Sequence, residues 1–255
     1  MLWRIRLGDK VKIVERGDVE LEQPSAVLGF PDVGLVGAIA TYHLVDKLDL
    51  KQIASIESDD FPPVVVVHNG RPVAPLRIYG NRNLLVVVSE IPIKSSLMHS
   101  ISRTLVEWFK SKNVKLVIPL GGVPHPNRLE VENPQVYGIS MNKETDELMD
   151  ERDIKKMEEG ISVGAHSLII YECMKNKINA LYLMAESHAK YPDPESAAAV
   201  IQKLNRILDL DVEVKELIEK GEEIKIQARD LMKRTENILQ DIGKEQENEI
   251  PMMYR

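Results

Sequence analysis

Apolar positions in this chain follow two rhythms: short unbroken runs, and longer stretches where they return every three or four residues. The run Asn83-Leu84-Leu85-Val86-Val87-Val88 predicts a central strand buried on both faces. Residues 25–30, 115–120 and 180–185 read as further apolar strands, the second followed by a loop over 121–126, 136–141 as another, and 10–15 as a strand at an edge. Residues 53–56 and 63–68 also read as strands, and Asn69-Gly70 between 64–67 and 73–79 is a hairpin turn signal. Helical spacing covers 33–48, with Asp32 as its expected N-cap, then 95–111 and 160–175. A fourth start is explicit: Asp193 caps, Pro194 occupies the first helical position and Glu195 complements the dipole of a helix reaching about residue 208. Strands alternating with helices imply a mainly parallel mixed sheet covered on both faces, an α/β/α sandwich, with the hairpin as its antiparallel part.

From 214 to 242 the rhythm changes to seven residues. Leu217, Ile224, Leu231 and Ile238 share one register, and Val214, Gly221, Ala228, Thr235 and Ile242 share the other, a coiled-coil-like seam with one small side. Such a seam has to be covered, either by its own domain or by a second copy. Beyond it, Gly243-Lys244-Glu245-Gln246-Glu247-Asn248-Glu249 is too polar to offset its ordering entropy. The sequence then closes on an apolar knot, Ile250-Pro251-Met252-Met253-Tyr254-Arg255. A few anchoring side chains beside a terminal carboxylate have the format of a peptide captured by a partner's pocket; the alternative is a chain end without a role. Three segments follow: a core over 1–210, a seam helix over 211–243 and a tail over 244–255.

Composition narrows the classes. At 44% hydrophobic and 29% charged the chain reads as globular, and its net charge of −7 argues against nucleic acid and anionic membrane surfaces as partners. The single cysteine, Cys173, excludes an intramolecular disulfide framework. No apolar run approaches the roughly 20 residues of a membrane span, and the N-terminus lacks a signal-peptide layout. The expectation is a cytoplasmic protein.

Ligands of parallel sheets bind beyond the carboxyl ends of the strands. There the sequence places Asp32, Glu90, His125, Glu186 and His188. The motifs that would turn these into a catalytic cluster are missing. Gly29, Gly34 and Gly37 fit neither the dinucleotide fingerprint nor the phosphate loop, and Gly34 and Gly37 are explained more simply by a helix lying close to the sheet. His125 stands between two prolines, no two histidines have a metal-ligand spacing, and no serine occupies a nucleophile elbow. No catalytic residue, metal or cofactor is expected.

Several stretches resemble one family. Gly29-Phe30-Pro31-Asp32-Val33-Gly34-Leu35-Val36-Gly37, the Asn69-Gly70 hairpin, Gly121-Gly122-Val123-Pro124 and Tyr191-Pro192-Asp193-Pro194-Glu195-Ser196-Ala197 look like archaeal members of the proteasome assembly chaperone type 2 family. That resemblance spans 1 to about 210 and implies an α/β/α sandwich, homo-oligomers (four subunits as the family expectation) and ATP-independent binding to 20S proteasome α subunits, with no catalytic residues. Independently, Met253-Tyr254-Arg255 resembles the hydrophobic–Tyr–any docking tail of proteasome activators, which enters pockets between neighbouring α-ring subunits. Two other readings compete. One is a nucleoside-phosphorylase-like or nucleotide-dependent enzyme using Asp32, Glu90, His125 and His188; the other is a scaffold whose seam helix oligomerises.

Overall fold

The computed structural model describes residues 10–17 and 19–249, with side chains described through 242. Residues 250–255, including Met253, Tyr254 and Arg255, lie outside the described residues.

The strands are β1 (Lys12–Glu15), β2 (Ser25–Gly29), β3 (Lys51–Glu57), β4 (Val66–His68), β5 (Arg71–Val73), β6 (Leu76–Gly80), β7 (Leu84–Ser89), β8 (Leu116–Pro124), β9 (Val136–Ser140), β10 (Lys155–Lys156) and β11 (Asn179–Ser187). The helices are α1 (Val36–Lys47), α2 (Ser95–Ser111), α3 (Lys143–Glu151), α4 (Ala165–Asn176), α5 (Pro194–Leu208), α6 (Lys215–Glu219) and α7 (Gly221–Glu249). One sheet runs in the order β1-β3-β6-β7-β2-β8-β11-β9-β10. Its centre, β7-β2-β8-β11, is parallel. The β1-β3-β6-β7 flank is antiparallel, and β9 runs antiparallel to β11.

Alternation along the central strands feeds two apolar layers. Ala26 and Leu28 of β2 join the layer built with α2 and α4, whereas Val27 joins the one built with α1 and α5. The helices lie close to the sheet where glycines permit it. A Cβ on Gly37 would overlap the Leu120 carbonyl, and one on Gly29 would overlap the Gly37 carbonyl. Cys173 lies in the α2/α4 layer, where burial pushes its thiol up to about 12. The folded protein should therefore resist thiol reagents at pH 8 and take up one equivalent only in denaturant; rapid native labelling would show that α4 opens.

Several expectations are met closely. Helix α2 covers 95–111, and Asp193 caps α5 by accepting the Ser196 N–H. At the hairpin, Asn69 and Gly70 both take positive φ (50° and 73°), as a type I′ turn demands. That hairpin is a separate two-stranded ribbon, β4–β5, while β6 departs into the main sheet. Other expectations need correction. Asp32 does not cap a helix: Val33–Leu35 forms a 3-10 turn, Gly34 and Leu35 take φ of 65° and 53°, and α1 starts only at Val36. The stretch 121–126 is not all loop, since β8 continues through both glycines to Pro124. The helix expected from residue 160 begins at Ala165. Helix α3 was not foreseen, although Asn142 and Thr145 form a capping box at its start.

The seven-residue seam is split into α6 and α7, and α7 continues as helix to Glu249, through the polar stretch assigned to the tail. Its apolar side packs on the core within the chain, half-buried at Ile224, Ala228 and Leu231. Ile224, Ala228 and Leu231 pack on the α1/α5 layer, Ile238 and Ile242 on the α2/α4 layer, and Thr235 between them is 1% exposed. Helix α7 thus crosses from one face of the sandwich to the other.

Candidate functional site

The parallel centre points the carboxyl ends of β7, β2, β8 and β11 in one direction, and α7 crosses near that end. Asp32 follows β2 there. Its Oδ2 accepts the Gly122 N–H at 3.3 Å and stands 3.4 Å from Nδ1 of His166, while its Oδ1 is buried without a hydrogen-bond partner. His166 enters from the first turn of α4. Its ring stacks on Phe30 at 5.2 Å, and its Nε2 accepts the Phe30 N–H at 3.1 Å. That bond assigns the neutral ring's proton to Nδ1, facing Asp32 and the Tyr182 hydroxyl, which lies 3.4 Å away. Burial raises the Asp32 carboxyl above its ordinary value, and the His166 and Gly122 contacts oppose that rise. Burial likewise pushes the Tyr182 phenol well up, with Asp32 adding to it. Gly121 marks where the groups converge, since a Cβ there would run into both Asp32 Oδ2 and the Tyr182 hydroxyl.

This trio faces a cavity of about 270 Å³. Phe30, Ile93, Met98 and Met184 contribute to its apolar wall, Ile161–Val163 borders it, and Thr235, Ile238, Leu239 and Ile242 of α7 line it from the far side.

The other expected residues fall elsewhere. Glu90 pairs with Arg77, whose side chain is 1% exposed, and with Nε2 of His68 at 2.8 Å. Beside it Tyr42 reaches His68 at 2.9 Å, and burial together with Glu90 pushes its hydroxyl up to about 12. This network joins the β4–β5 ribbon to the body and borders a groove of about 660 Å³ between α1, α6 and α7, on the opposite face from the Asp32 cavity. His125 donates its backbone N–H to the Ser187 carbonyl at 3.0 Å, the rigid role that its flanking prolines suggested. Glu186 accepts from the Gln135 N–H and the Tyr137 hydroxyl, both at 3.1 Å, tying β11 to β9. His188 places its backbone N–H on Asp193 at 3.1 Å. The five residues foreseen at the strand ends therefore form no single cluster; Asp32 alone lines the cavity. Among the described residues, no group of three or more His, Cys, Asp or Glu could hold a metal ion.

His166 and Tyr182 were missed because each sits inside an apolar run, where periodicity registers them as core. The available signal was a histidine among the apolar residues of 165–170, in line with a strand-end carboxylate.

Known proteins share this fold. The PAC2 family profile matches residues 26–232. MJ0106 of Methanocaldococcus jannaschii, described as an uncharacterized protein, is 31% identical over 227 residues, covering 88% of this chain and 91% of its own. The crystal structure of Pyrococcus furiosus PbaA, described as an archaeal homolog of proteasome-assembly chaperone, matches with a TM-score of 0.84 at 30% identity, covering 89% of this chain and 98% of that one. Pyrococcus furiosus PbaB, described as an archaeal proteasome activator, shares the fold with a TM-score of 0.76 at 20% identity, covering 88% and 99% of the two chains.

Proposed function

The chain belongs to the PAC2 family, and from that membership we propose that it serves the 20S proteasome as an ATP-independent assembly chaperone or activator in the cytoplasm. The observation that carries this reading is the likeness to PbaA over 89% of the chain at 30% identity. The docking element is the terminal Met253-Tyr254-Arg255. Met253 and Tyr254 enter a pocket between neighbouring α subunits, and the Arg255 carboxylate meets a lysine there. Residues 250–255 follow directly on α7, and six residues extend at most about 20 Å, so the helix rather than a long linker sets where the tail starts. Homo-oligomers, four subunits in the simplest form, present several such tails on one body, and their avidity lets each tail bind weakly.

The test compares the full chain with one ending at Pro251. Peptide hydrolysis by archaeal 20S particles should be stimulated by the full chain and return to the unstimulated rate with the shortened one, whose circular dichroism and melting point stay unchanged. Undiminished co-sedimentation of the shortened chain with the particle would remove the tail from the mechanism. If neither chain stimulates or co-sediments, the proteasome reading itself fails.

A further inference from the structure

We infer that the β4–β5 ribbon is a self-association element: the outer edge of β4 pairs antiparallel with the same edge of a second copy of this chain, about a two-fold axis at Val66. The hairpin fixes which backbone groups are free. Its two-residue turn makes His68 and Arg71 a hydrogen-bonded pair, so the next pair, Val67 with Pro72, is non-hydrogen-bonded, in keeping with a proline that has no N–H to give. The N–H and C=O of Val67 therefore point away from β5, and continuing the strand by one period turns those of Val65 the same way. The ribbon has two strands only, so among the described residues no strand pairs with that edge. The two edges are not alike. On β5 the outward position is Pro72, which cannot donate and so blocks a further strand. On β4 the outward positions are valines, and residues 64–68 contain none of the prolines or lysines that guard an exposed edge.

The side chains agree with the backbone. Val65 and Val67 are 62% and 61% exposed, while His68 is tied to the body through Glu90 at 2.8 Å, which holds the ribbon in place. Register and charge single out a second copy as the occupant. With the axis at Val66, Val65 of each copy lies opposite Val67 of the other. Both outward backbone positions are then paired, and two pairs of β-branched side chains meet across the junction. The same register carries the turn of each copy toward the start of the other's β4. There exposed Arg71 approaches exposed Asp59, and neither has an ion-pair partner among the described residues. The turn comes to rest beside a groove of about 580 Å³ bordered by Phe61, Pro63, Val64 and Val65. A strand-edge contact is smaller than the roughly 800 Å² per partner of a standard interface, so the association is reversible on dilution.

The pairing rests on the ribbon and not on the proteasome reading, and its test uses the full chain without proteasome, so failure here leaves the docking reading standing. Sedimentation over a dilution series should show an assembly whose mass Val67→Lys cuts in half, because the new charge stands on the edge at an exposed position. The Val65 and Val67 amides of the unaltered chain should exchange with solvent at least tenfold more slowly than the same amides in that variant. Cysteine pairing reads the register. Val65→Cys and Val67→Cys chains mixed together should cross-link on mild oxidation at least tenfold faster than either alone, with Cys173 buried and out of reach. Should Val67→Lys fold poorly, the cross-linking decides by itself. A chain that stays monomeric at millimolar concentration would overturn the assignment and leave the edge to an extended segment of another protein. An assembly untouched by Val67→Lys, or equal cross-linking of the mixed and the single chains, would overturn it as well.

Discussion

Arg128→Ala should destabilise the fold by about 3–5 kcal/mol, the usual cost of leaving one half of a buried ion pair uncompensated. Arg128 and Asp193 are both 3% exposed, and the guanidinium forks onto the two carboxylate oxygens at 2.9 and 3.1 Å. It also reaches Glu195 at 2.9 Å and the Val131 carbonyl at 2.6 Å. Asp193 in turn accepts the N–H groups of Ser196 and His188 and gives its own N–H to the Gly34 carbonyl at 2.8 Å. One arginine therefore fastens the loop after β8 to the start of α5, and through Asp193 to the turn after β2. A domain stable by about 5–15 kcal/mol would lose about a fifth or more of its margin. Arg128→Lys keeps the charge but loses the fork, so it should recover only part of the loss. Urea denaturation decides the matter: a midpoint change worth less than about 1 kcal/mol would mean that the network is dispensable.

The second large effect is expected at Gly37. Its missing Cβ is where the Leu120 carbonyl of β8 lies, and the α-carbon of Gly29 would be 3.2 Å away. The obstructing atoms are backbone atoms of two central strands, and no rotamer change can clear them. Gly37→Ala forces the first turn of α1 off the sheet, with an expected loss of about 3 kcal/mol, at the upper end of overpacking costs. Gly221→Ala is the control. That residue begins α7 with no atom near its missing Cβ, so alanine should leave stability unchanged or raise it by up to about 1 kcal/mol. Similar melting points for the two variants would refute the close-approach argument.

Both effects bear on what the sequence made legible. The Pro194 helix start, the Asn69-Gly70 turn and the apolar run of β7 were readable because a local steric or periodic rule fixes each one. Gly121 and Gly122 were misread because a glycine pair signals a loop, and nothing local says that Asp32 and Val33 will arrive from a distant segment to occupy the space above them. Asp32 was misread for the same reason. It has the chemistry of a cap, yet its partners, Gly122 and His166, are 90 and 134 positions away. The strand-end list failed on sidedness. Sequence order places Asp32 and Glu90 at the same end of the sheet, whereas the turn after β2 and the Arg77 pair send them to opposite faces. The family resemblance was carried by these same glycine and proline segments, which hold the loops at the strand ends in place.

Helix α7 also behaves as a lever. Its apolar contacts change face at Thr235, and from there to Glu249 the helix runs fourteen residues, about 21 Å. A stiff rod of that length converts a tilt of about 10° at the fulcrum into a sweep of about 4 Å at its end. The side chains touching the fulcrum are those of the strand-end cavity, so the packing of that space and the position of the far end of α7 belong to one mechanical part.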